Sequence, residues 1–368
     1  MAAITLKGVS SRGFPTAGIH LAIANRAFVV LTGPDQPGPS AIVRLIAGLD
    51  AITGGEILFD DRRLNDVPPA ERNVALVARG FVPYPRLSVY ENVSLGLELR
   101  KFGKGEAERR IQEAAEFFEL RELLEARPGD LSPEQCQIVA LARAAVQQPK
   151  VYLLDDPFAG LTANGRRRCR ALFAKLRQRS AATIVYATSD GAEALALGGR
   201  TVFMESGVIR QDAEGPLMLT SPANVTIAQF FGDPPMNLIH GTLRIDRQGL
   251  VFSEAGEGTI AVRLPEPALR GGDEVNGRAV IVGIRPEDLE VSEAGAQRGA
   301  SFRALVSRVE PKGSESELYL QTGGHDLVCR SRSWQADGEG GRRAEFAINV
   351  EKVHLFDPVS GYRITAET

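Results

Sequence analysis

The chain has 368 residues, of which 43% are hydrophobic and 24% charged, a composition typical of a globular protein with room for two domains. Its formal net charge of -3 gives no overall reason to expect nucleic acid or an anionic membrane as a partner. Three widely spaced cysteines indicate free thiols in a reducing compartment, and neither they nor the four histidines have metal-site spacing. The first residues lack the apolar core of a signal peptide, and no apolar run reaches the roughly 18 residues of a membrane-spanning helix.

Strands and helices alternate in the first part of the chain. Apolar runs predict strands at residues 4–7, 19–22, 28–31, 151–154 and 183–187. Helices are predicted at about residues 40–47 and, from a long periodic pattern, at residues 105–126. Because the later strands are rich in β-branched residues and separated by helical segments, we predict a largely parallel sheet in an α/β layer fold.

The pattern changes near residues 230–241, where Pro234 and Pro235 interrupt the helical periodicity. The remaining segments are short, alternating and separated by glycine-rich turns, as at residues 279–282, 317–320 and 326–328. We therefore predict an α/β domain at residues 1–235, with a helical subdomain at about residues 82–150. An all-β barrel or sandwich is predicted at residues 236–368.

The stretch LTGPDQPGPSA at residues 31–41 has the outline of a phosphate-binding loop between a strand and a helix. Gly33 and Gly38 have the usual spacing, and Ser40 stands where a hydroxyl would bind Mg²⁺. Pro39 takes the place of the lysine, and Pro37 and Pro39 each lack a backbone N–H. Alone, this stretch fits a plain turn equally well. The candidate cofactor-binding residues are Gly33, Pro34, Asp35, Gln36, Pro37, Gly38, Pro39, Ser40 and Ala41.

A second stretch supports the nucleotide interpretation. Residues 131–157, LSPEQCQIVALARAAVQQPKVYLLDDP, resemble the signature segment and Walker B strand of ATP-binding cassette (ABC) proteins, whose patterns are LSGGQ and LLDEP. Further segments match the family in order: IAGLD at 46–50, ERNVALV at 71–77, YPRLSVYENVSLGL at 84–97, VGIRPEDL at 282–289 and VHLFDPVSGYRI at 353–364. The whole chain is thus similar to the ATP-binding subunits of bacterial maltose, glycerol-3-phosphate and polyol importers.

This resemblance implies an α/β fold: a P-loop nucleotide-binding core with a helical subdomain, followed by an all-β, OB-like accessory domain of the TOBE type. It implies ATP and Mg²⁺ as cofactors, bound weakly or shared with a partner subunit. The implied partners are a second, intact cassette ATPase, two transmembrane permease subunits and, indirectly, an extracytoplasmic solute-binding protein. The chain would lie peripherally on the cytoplasmic face of the cell membrane. No basic, aromatic-studded stripe is evident, so no nucleic-acid partner is expected.

The resemblance also assigns the catalytic positions, and most of them depart from the family. Asp155 is the retained Walker B aspartate, which with Ser40 would form a remnant Mg²⁺ site. Asp156 replaces the catalytic glutamate, Arg79 replaces the Q-loop glutamine, and Ser189 replaces the switch histidine. Phosphoryl transfer depends on positioning and charge stabilisation, and losing one such group costs roughly a hundredfold to a thousandfold in rate. We therefore predict no useful hydrolysis at this site.

Two predicted contact surfaces match the family pattern to different degrees. The signature, which in the family faces a partner's nucleotide, keeps Ser132 and Gln135, but Pro133 and Glu134 replace its two glycines. Thr162 replaces the D-loop aspartate. The segment that in the family receives a coupling helix of the membrane subunit is nearly intact, and its candidate residues are Tyr84, Leu87 and Tyr90.

Several residues have plainer interpretations. Ser40 fits a helix N-cap equally well, Asp155 fits a strand-end residue, and the tyrosine segment fits core packing. Arg79 is predicted either to face solvent or to pair with Asp155 or Asp156 in place of the metal. The leading hypothesis is a non-hydrolysing cassette subunit paired with an intact homologue beneath a carbohydrate, polyol or glycerol-phosphate importer. The alternatives are a slow ATPase using Asp156 as base, and a structural or regulatory subunit that needs no nucleotide.

Overall fold

The computed structural model describes residues 2–12, 14–34, 38–98, 102–265, 275–292, 301–332, 334 and 341–364. The chain divides into two compact units, Met1–Gly215 and Pro216–Thr368. The domain boundary predicted from the sequence, after residue 235, lies within the second of these units. That boundary remains a prediction.

The first unit alternates strands and helices. In chain order its elements are β1 (Ile4–Ser11), β2 (Phe14–Ile23), β3 (Phe28–Thr32), α1 (Gly38–Ala47), β4 (Ile52–Phe59), β5 (Arg62–Arg63), β6 (Val74–Ala78), α2 (Val89–Glu98), α3 (Lys104–Phe117), α4 (Pro133–Val146), β7 (Val151–Asp155), α5 (Ala163–Arg179), β8 (Thr183–Thr188), α6 (Gly191–Leu197), β9 (Arg200–Glu205) and β10 (Val208–Glu214). Short 3₁₀ turns lie at Pro69–Glu71, Arg121–Leu123 and Pro128–Asp130.

Two sheets organise these elements. A six-stranded sheet has the order β10-β9-β3-β8-β7-β6, and its neighbouring strands are parallel except for the antiparallel edge strand β10. A four-stranded antiparallel sheet has the order β2-β1-β4-β5. The predicted α/β layer fold with a largely parallel sheet is confirmed.

Alternating side chains of the central strands fill two separate cores. From β7, Val151 and Leu153 pack with α1 and the antiparallel sheet, whereas Tyr152 and Leu154 pack with helices α2 to α5. This alternation follows from the period of two in a strand. Both faces of the parallel sheet are therefore covered, which is why its strands are apolar along their whole length.

The helix predicted at residues 105–126 is shorter in the structure. Helix α3 ends at Phe117, and Glu119 then takes a positive φ of 59°, from which a helix cannot continue. The Arg121–Leu123 3₁₀ turn follows. The apolar spacing beyond residue 117 thus reflects a second, separate turn packed on the same core, and not one continuous helix.

A buried arginine holds the end of α1. The Arg72 guanidinium donates hydrogen bonds to four carbonyl oxygens, including those of Leu45 and Ile46 in the last turn of the helix. Burial lowers the pKa of Arg72. Gly48 has φ 79°, and a Cβ there would lie 2.6 Å from the guanidinium, so glycine lets the arginine approach. Arg72 therefore adds a donor at the end of α1, where the Leu45 carbonyl also accepts from the Gly48 N–H at 3.1 Å.

The second unit begins with short helices and continues as strands. Helix α7 (Gly215–Thr220) lies at the boundary of the units. The further elements are α8 (Val225–Phe230), β11 (Asn237–Asp246), β12 (Gly249–Glu254), β13 (Ala261–Arg263), β14 (Ala279–Ile284), β15 (Leu289–Val291), β16 (Ser301–Lys312), β17 (Glu315–Gln321), β18 (Asp326–Ser331), β19 (Arg342–Ile348) and β20 (His354–Phe356), with 3₁₀ turns at Pro286–Asp288 and Val350–Lys352.

These strands form two five-stranded antiparallel sheets around one apolar core, with the orders β13-β12-β11-β14-β20 and β15-β19-β16-β17-β18. Buried Arg285 joins the helices to the strands, since its guanidinium donates to the carbonyls of Leu219, Ala228 and Phe231. The expected small β fold is confirmed for the described residues from Asn237 onward, which contain strands and short 3₁₀ turns.

Buried His354 makes the stability of the second unit depend on pH. Burial, and then the positive charges of Arg363 and Arg285, lower the pKa of His354 from 6.5 to about 4. The folded state therefore disfavours the protonated imidazole. The free energy of unfolding is therefore unaffected by His354 above its unfolded pKa of 6.5. It falls as the pH drops from 6.5 towards 4, by about 2 kcal/mol at pH 5.

Urea unfolding at pH 7 and pH 5 tests this prediction, with fluorescence of Trp334 as the signal, because the chain has one tryptophan and it packs on the core of this unit. The loss between the two pH values should be about 2 kcal/mol larger in the wild type than in His354→Leu. Equal losses in the two proteins would contradict it.

Candidate functional site

The carboxyl ends of the parallel strands β3, β8, β7 and β6 lie at one edge of the sheet. Thr32 is opposite Thr188, and Asp155 lies between Ala187 and Ala78 in register. The residues that follow these strands therefore meet at this edge, where parallel sheets bind ligands. Four predicted site residues are among them, namely Gly33, Arg79, Asp156 and Ser189.

The described ends of the predicted phosphate-binding loop are Gly33, which follows β3, and Gly38, which begins α1. Gly33 is required sterically, because a Cβ at this position would lie 1.9 Å from the carbonyl oxygen of Met204. Helix α1 begins at Gly38, two residues earlier than predicted, and the buried Pro39 lies in its first turn, where a missing N–H leaves no helix bond unmade. Pro34 is exposed, and the predicted residues Asp35, Gln36 and Pro37 lie outside the described residues.

Ser40 and Asp155 are hydrogen-bonded to each other. The Ser40 hydroxyl donates to Oδ1 of Asp155 over 2.5 Å, although the two residues are 115 positions apart. The retained pair of predicted metal ligands is thus adjacent in space. Ala41 is buried in the same helix and contributes to the core and not to the polar site.

Asp156 is the most constrained side chain of the site. It is 7% exposed and has a positive φ of 46°, and its N–H donates to the Ala187 carbonyl over 2.8 Å. Its carboxylate forms an ion pair with Arg79, and accepts hydrogen bonds from Thr188 at 3.2 Å and from Ser189 at 3.4 Å. Arg79 was predicted either to face solvent or to pair with Asp155 or Asp156, and in the structure it pairs with Asp156. The carboxylate is therefore fully engaged within the protein.

The residues at this edge do not fit Mg²⁺ well. Mg²⁺ requires near-octahedral oxygen coordination, commonly from one or two carboxylates. Here Ser40 and Asp155 bring two oxygen ligands together, but Asp156 is paired with the Arg79 guanidinium, whose positive charge opposes a second cation. In the part of the chain that the structure describes, no group of three or more His, Cys, Asp or Glu residues is arranged to hold a metal ion.

The signature segment forms the start of α4. The Ser132 hydroxyl accepts from the Gln135 N–H at 3.2 Å, and the Gln135 side chain accepts from the Ser132 N–H at 2.8 Å, so the two residues form a capping box. Pro133 is the first helical residue and has no N–H to offer a ligand. The two side chains that the family would direct at a phosphate thus have local partners here.

Glu134 is held by an arginine of α5. Arg168 donates to Glu134 at 3.1 Å and to Glu119 at 2.9 Å, and therefore bridges the end of α3 and the start of α4. Thr162, at the D-loop position, caps α5 by accepting from the Gly165 N–H at 3.2 Å. Glu134 thus has an ion-pair partner that a glycine would lack, whereas an aspartate at position 162 could cap α5 as Thr162 does.

The tyrosine segment forms a surface loop ordered by one buried amide. Asn92, which is 0% exposed, accepts from the Tyr84 N–H at 2.7 Å and donates to the carbonyls of Tyr84, Leu87 and Ser88. Tyr84 is 50% exposed and lies under Arg143, whereas Tyr90 packs against the core and donates to Glu108. The loop therefore exposes Tyr84 while Tyr90 anchors it.

Sequence reasoning missed three residues that complete these arrangements, namely Thr188, Arg168 and Asn92. Thr188 lies beside Ser189 in the motif ATSD and was the easiest to find.

Behind the site, buried Glu193 accepts from Tyr186 at 3.1 Å and lies 3.5 Å from Arg170. Burial raises the pKa of Glu193. No described helix is both long and apolar enough to cross a membrane.

The parallel sheet, with Gly33 after β3, Gly38 at the start of α1 and the carboxylates at the strand ends, has the arrangement of the P-loop fold. Family models agree: residues 16–159 match the ABC transporter model, residues 232–289 the MalK OB fold domain, and residues 282–356 the TOBE domain. With the full-length relatives below, these matches show that the chain belongs to the family of ABC transporter ATP-binding proteins, and that its second unit is of the OB and TOBE type.

Two relatives are similar over nearly their whole length. The sn-glycerol-3-phosphate import ATP-binding protein UgpC of Bordetella avium is 36% identical over 355 residues, covering 94% of this chain and 93% of the relative. The oligosaccharides import ATP-binding protein MsmX of Bacillus subtilis is 36% identical over 349 residues, with coverage of 94% and 93%.

A solved structure is similar to the nucleotide-binding part. It is the dimeric, post-hydrolysis state of the ATP-binding cassette MJ0796 bound to ADP and Pi. The TM-score is 0.51 at 27% sequence identity, covering 57% of this chain and 98% of that one.

Proposed function

We propose that this chain is the ATP-binding-cassette subunit of a bacterial importer for a saccharide, polyol or glycerol phosphate, and that it is the non-hydrolysing half of a heterodimeric ATPase pair. The solute class rests on UgpC and MsmX, and the pairing on the dimeric cassette bound to ADP and Pi. The complex would contain two permease subunits, and this chain would receive a coupling helix from the membrane part at the cytoplasmic face, through the loop that exposes Tyr84.

One observation carries the non-hydrolysing assignment. A general base must reach the proton of the attacking water, yet Asp156 already accepts hydrogen bonds from two hydroxyls and forms an ion pair with Arg79. Its side chain is one methylene shorter than the family glutamate, and it is only 10% exposed. The position of the family base is thus filled by a structural carboxylate.

A second argument concerns the pairing. A transport ATPase needs at least one competent site, and two copies of this chain would bring together two sites that lack the lysine, the glutamate and the histidine. A different cassette chain with those residues would restore one site. The signature of this chain would face that site and contribute shape more than hydrogen bonds, since Ser132 and Gln135 bond to each other.

Purification of the intact complex from its native membrane tests the proposal. We expect permease subunits and a second cassette chain with intact lysine, glutamate and histidine to co-purify, and the complex to hydrolyse ATP. Mutating the partner's glutamate should abolish turnover, whereas Asp156→Asn in this chain should leave it nearly unchanged. A complex that contains this chain as its only cassette subunit and still hydrolyses ATP would refute the heterodimer.

A further inference from the structure

We propose that Arg79 takes the place of the divalent cation, so that this site binds a nucleoside triphosphate without Mg²⁺. The inference rests on the proposed function and extends it by naming the form of the ligand, which is the metal-free nucleotide. It goes beyond the loss of hydrolysis, since loss of the catalytic base alone would leave a metal-dependent binding site.

The first argument is the distribution of charge. Residues 31–43 contain no lysine or arginine, so the loop that would surround the phosphates supplies no positive side chain. The cation of this edge comes from the end of β6, where the Arg79 guanidinium is paired with Asp156. Arg44 of α1, which pairs with Asp50, also attracts Asp155, but among the described residues Arg79 is the cation that pairs directly with a carboxylate at the end of β7. Arg79 thus lies where the family glutamine would bind the metal.

The second argument is the spare donor capacity of Arg79. One of its nitrogens, Nη2, contacts Asp156, and neither Nε nor Nη1 hydrogen-bonds to another described residue. The side chain is 54% exposed, so these donors can reach a ligand. A guanidinium has five donors in a planar fork that matches phosphate oxygens, and it retains its charge at any physiological pH. It can therefore bind a phosphate while it remains close to Asp156.

The third argument is that Asp156 does not depend on Arg79 alone. If the guanidinium turns towards a phosphate, the hydroxyls of Thr188 and Ser189 still donate to the carboxylate. Asp155 likewise keeps its bond from Ser40. Each carboxylate thus keeps a hydroxyl donor, and a guanidinium that stays beside Asp156 continues to repel a metal ion there. Restoring glutamine at position 79 would remove the internal cation and make the carboxylates available to Mg²⁺.

Binding of ATP to the full-length chain, measured by equilibrium dialysis in EDTA and in excess MgCl₂, tests the inference. For the wild type we expect dissociation constants that agree within about threefold in the two buffers. Arg79→Gln should weaken binding in EDTA by about tenfold or more, the effect of one lost charge-assisted hydrogen bond, and should bind more tightly when MgCl₂ is added. Arg79→Lys, which keeps the charge, should bind in EDTA more tightly than Arg79→Gln.

Arg167→Gln is the matched control, because Arg167 is exposed on α5 and forms no ion pair with another described residue. It should bind ATP as the wild type does in both buffers. Wild-type binding that MgCl₂ strengthens tenfold or more, absence of binding in EDTA, or an Arg79→Gln variant that equals the wild type in EDTA would each overturn the inference. Co-purification of an intact partner ATPase would leave the proposed function standing in all three cases.

Discussion

Returning a single family residue to this chain, beginning with Asp156→Glu, is expected to leave ATP turnover at background. Each missing group contributes about a hundredfold to a thousandfold in rate. Because these groups act together, restoring one of them while the others are absent should not restore turnover. A glutamate at position 156 would still face Arg79, without the lysine and the histidine. Phosphate release by the purified wild type and by the single variants measures this.

The combined variant is the positive control. Pro39→Lys, Arg79→Gln, Pro133→Gly, Glu134→Gly, Asp156→Glu and Ser189→His together restore both faces of the composite site. We expect Mg²⁺-dependent turnover at least about a hundredfold above the wild type, since several groups act in concert. The opposite result, turnover by the wild type that disappears in Asp156→Ala, would show that the chain is a slow ATPase with Asp156 as its base.

The second large effect concerns stability. Arg72→Met removes the side-chain donor to four buried carbonyl oxygens, of which those of Leu45 and Leu64 also accept from backbone N–H groups and those of Ile46 and Val67 lose this donor. Unsatisfied buried acceptors cost roughly 1–3 kcal/mol each before the structure relaxes, and we expect a net loss of about 3 kcal/mol in the first unit. Because α1 carries Ser40, the same change should also weaken the contact of Ser40 with Asp155.

Hydrogen exchange of the α1 amides, together with thermal unfolding by circular dichroism, measures this loss. Arg63→Met is the matched control, since Arg63 is exposed and pairs with Glu56 only at 3.6 Å. It should change stability by less than about 0.5 kcal/mol. Equal protection of α1 in the two variants would contradict the role given to Arg72.

Part of this architecture is written locally in the sequence. The strands β7 and β8 are apolar on both faces because both faces are covered, and such a run is recognisable without any knowledge of its neighbours. The glycine turn into α1 is equally local. The end of α3 was misplaced because the apolar spacing continues past Phe117, whereas the backbone turns at Glu119.

The site itself depends on partners that are distant in the chain. Arg79 and Asp156 are 77 positions apart, and only the register of β6 beside β7 brings them together. Motif comparison could mark both as replacements, but it could not choose between a solvent-facing arginine and an ion pair. Arg72 was missed for a related reason: a charged residue between polar neighbours is normally exposed, and its acceptors lie as many as 27 positions away.

The bridge made by Arg168 has a consequence for how freely the helices of the first unit can rotate. Both of its carboxylate partners are at least partly open to water, so each ion pair contributes only about 0.5 kcal/mol and weakens further as salt is added. Ion pairs this weak orient the start of α4 in the isolated chain, but they would not prevent a small rotation of the helix. Higher ionic strength should therefore make the start of α4 easier to displace when a neighbouring subunit presses on it.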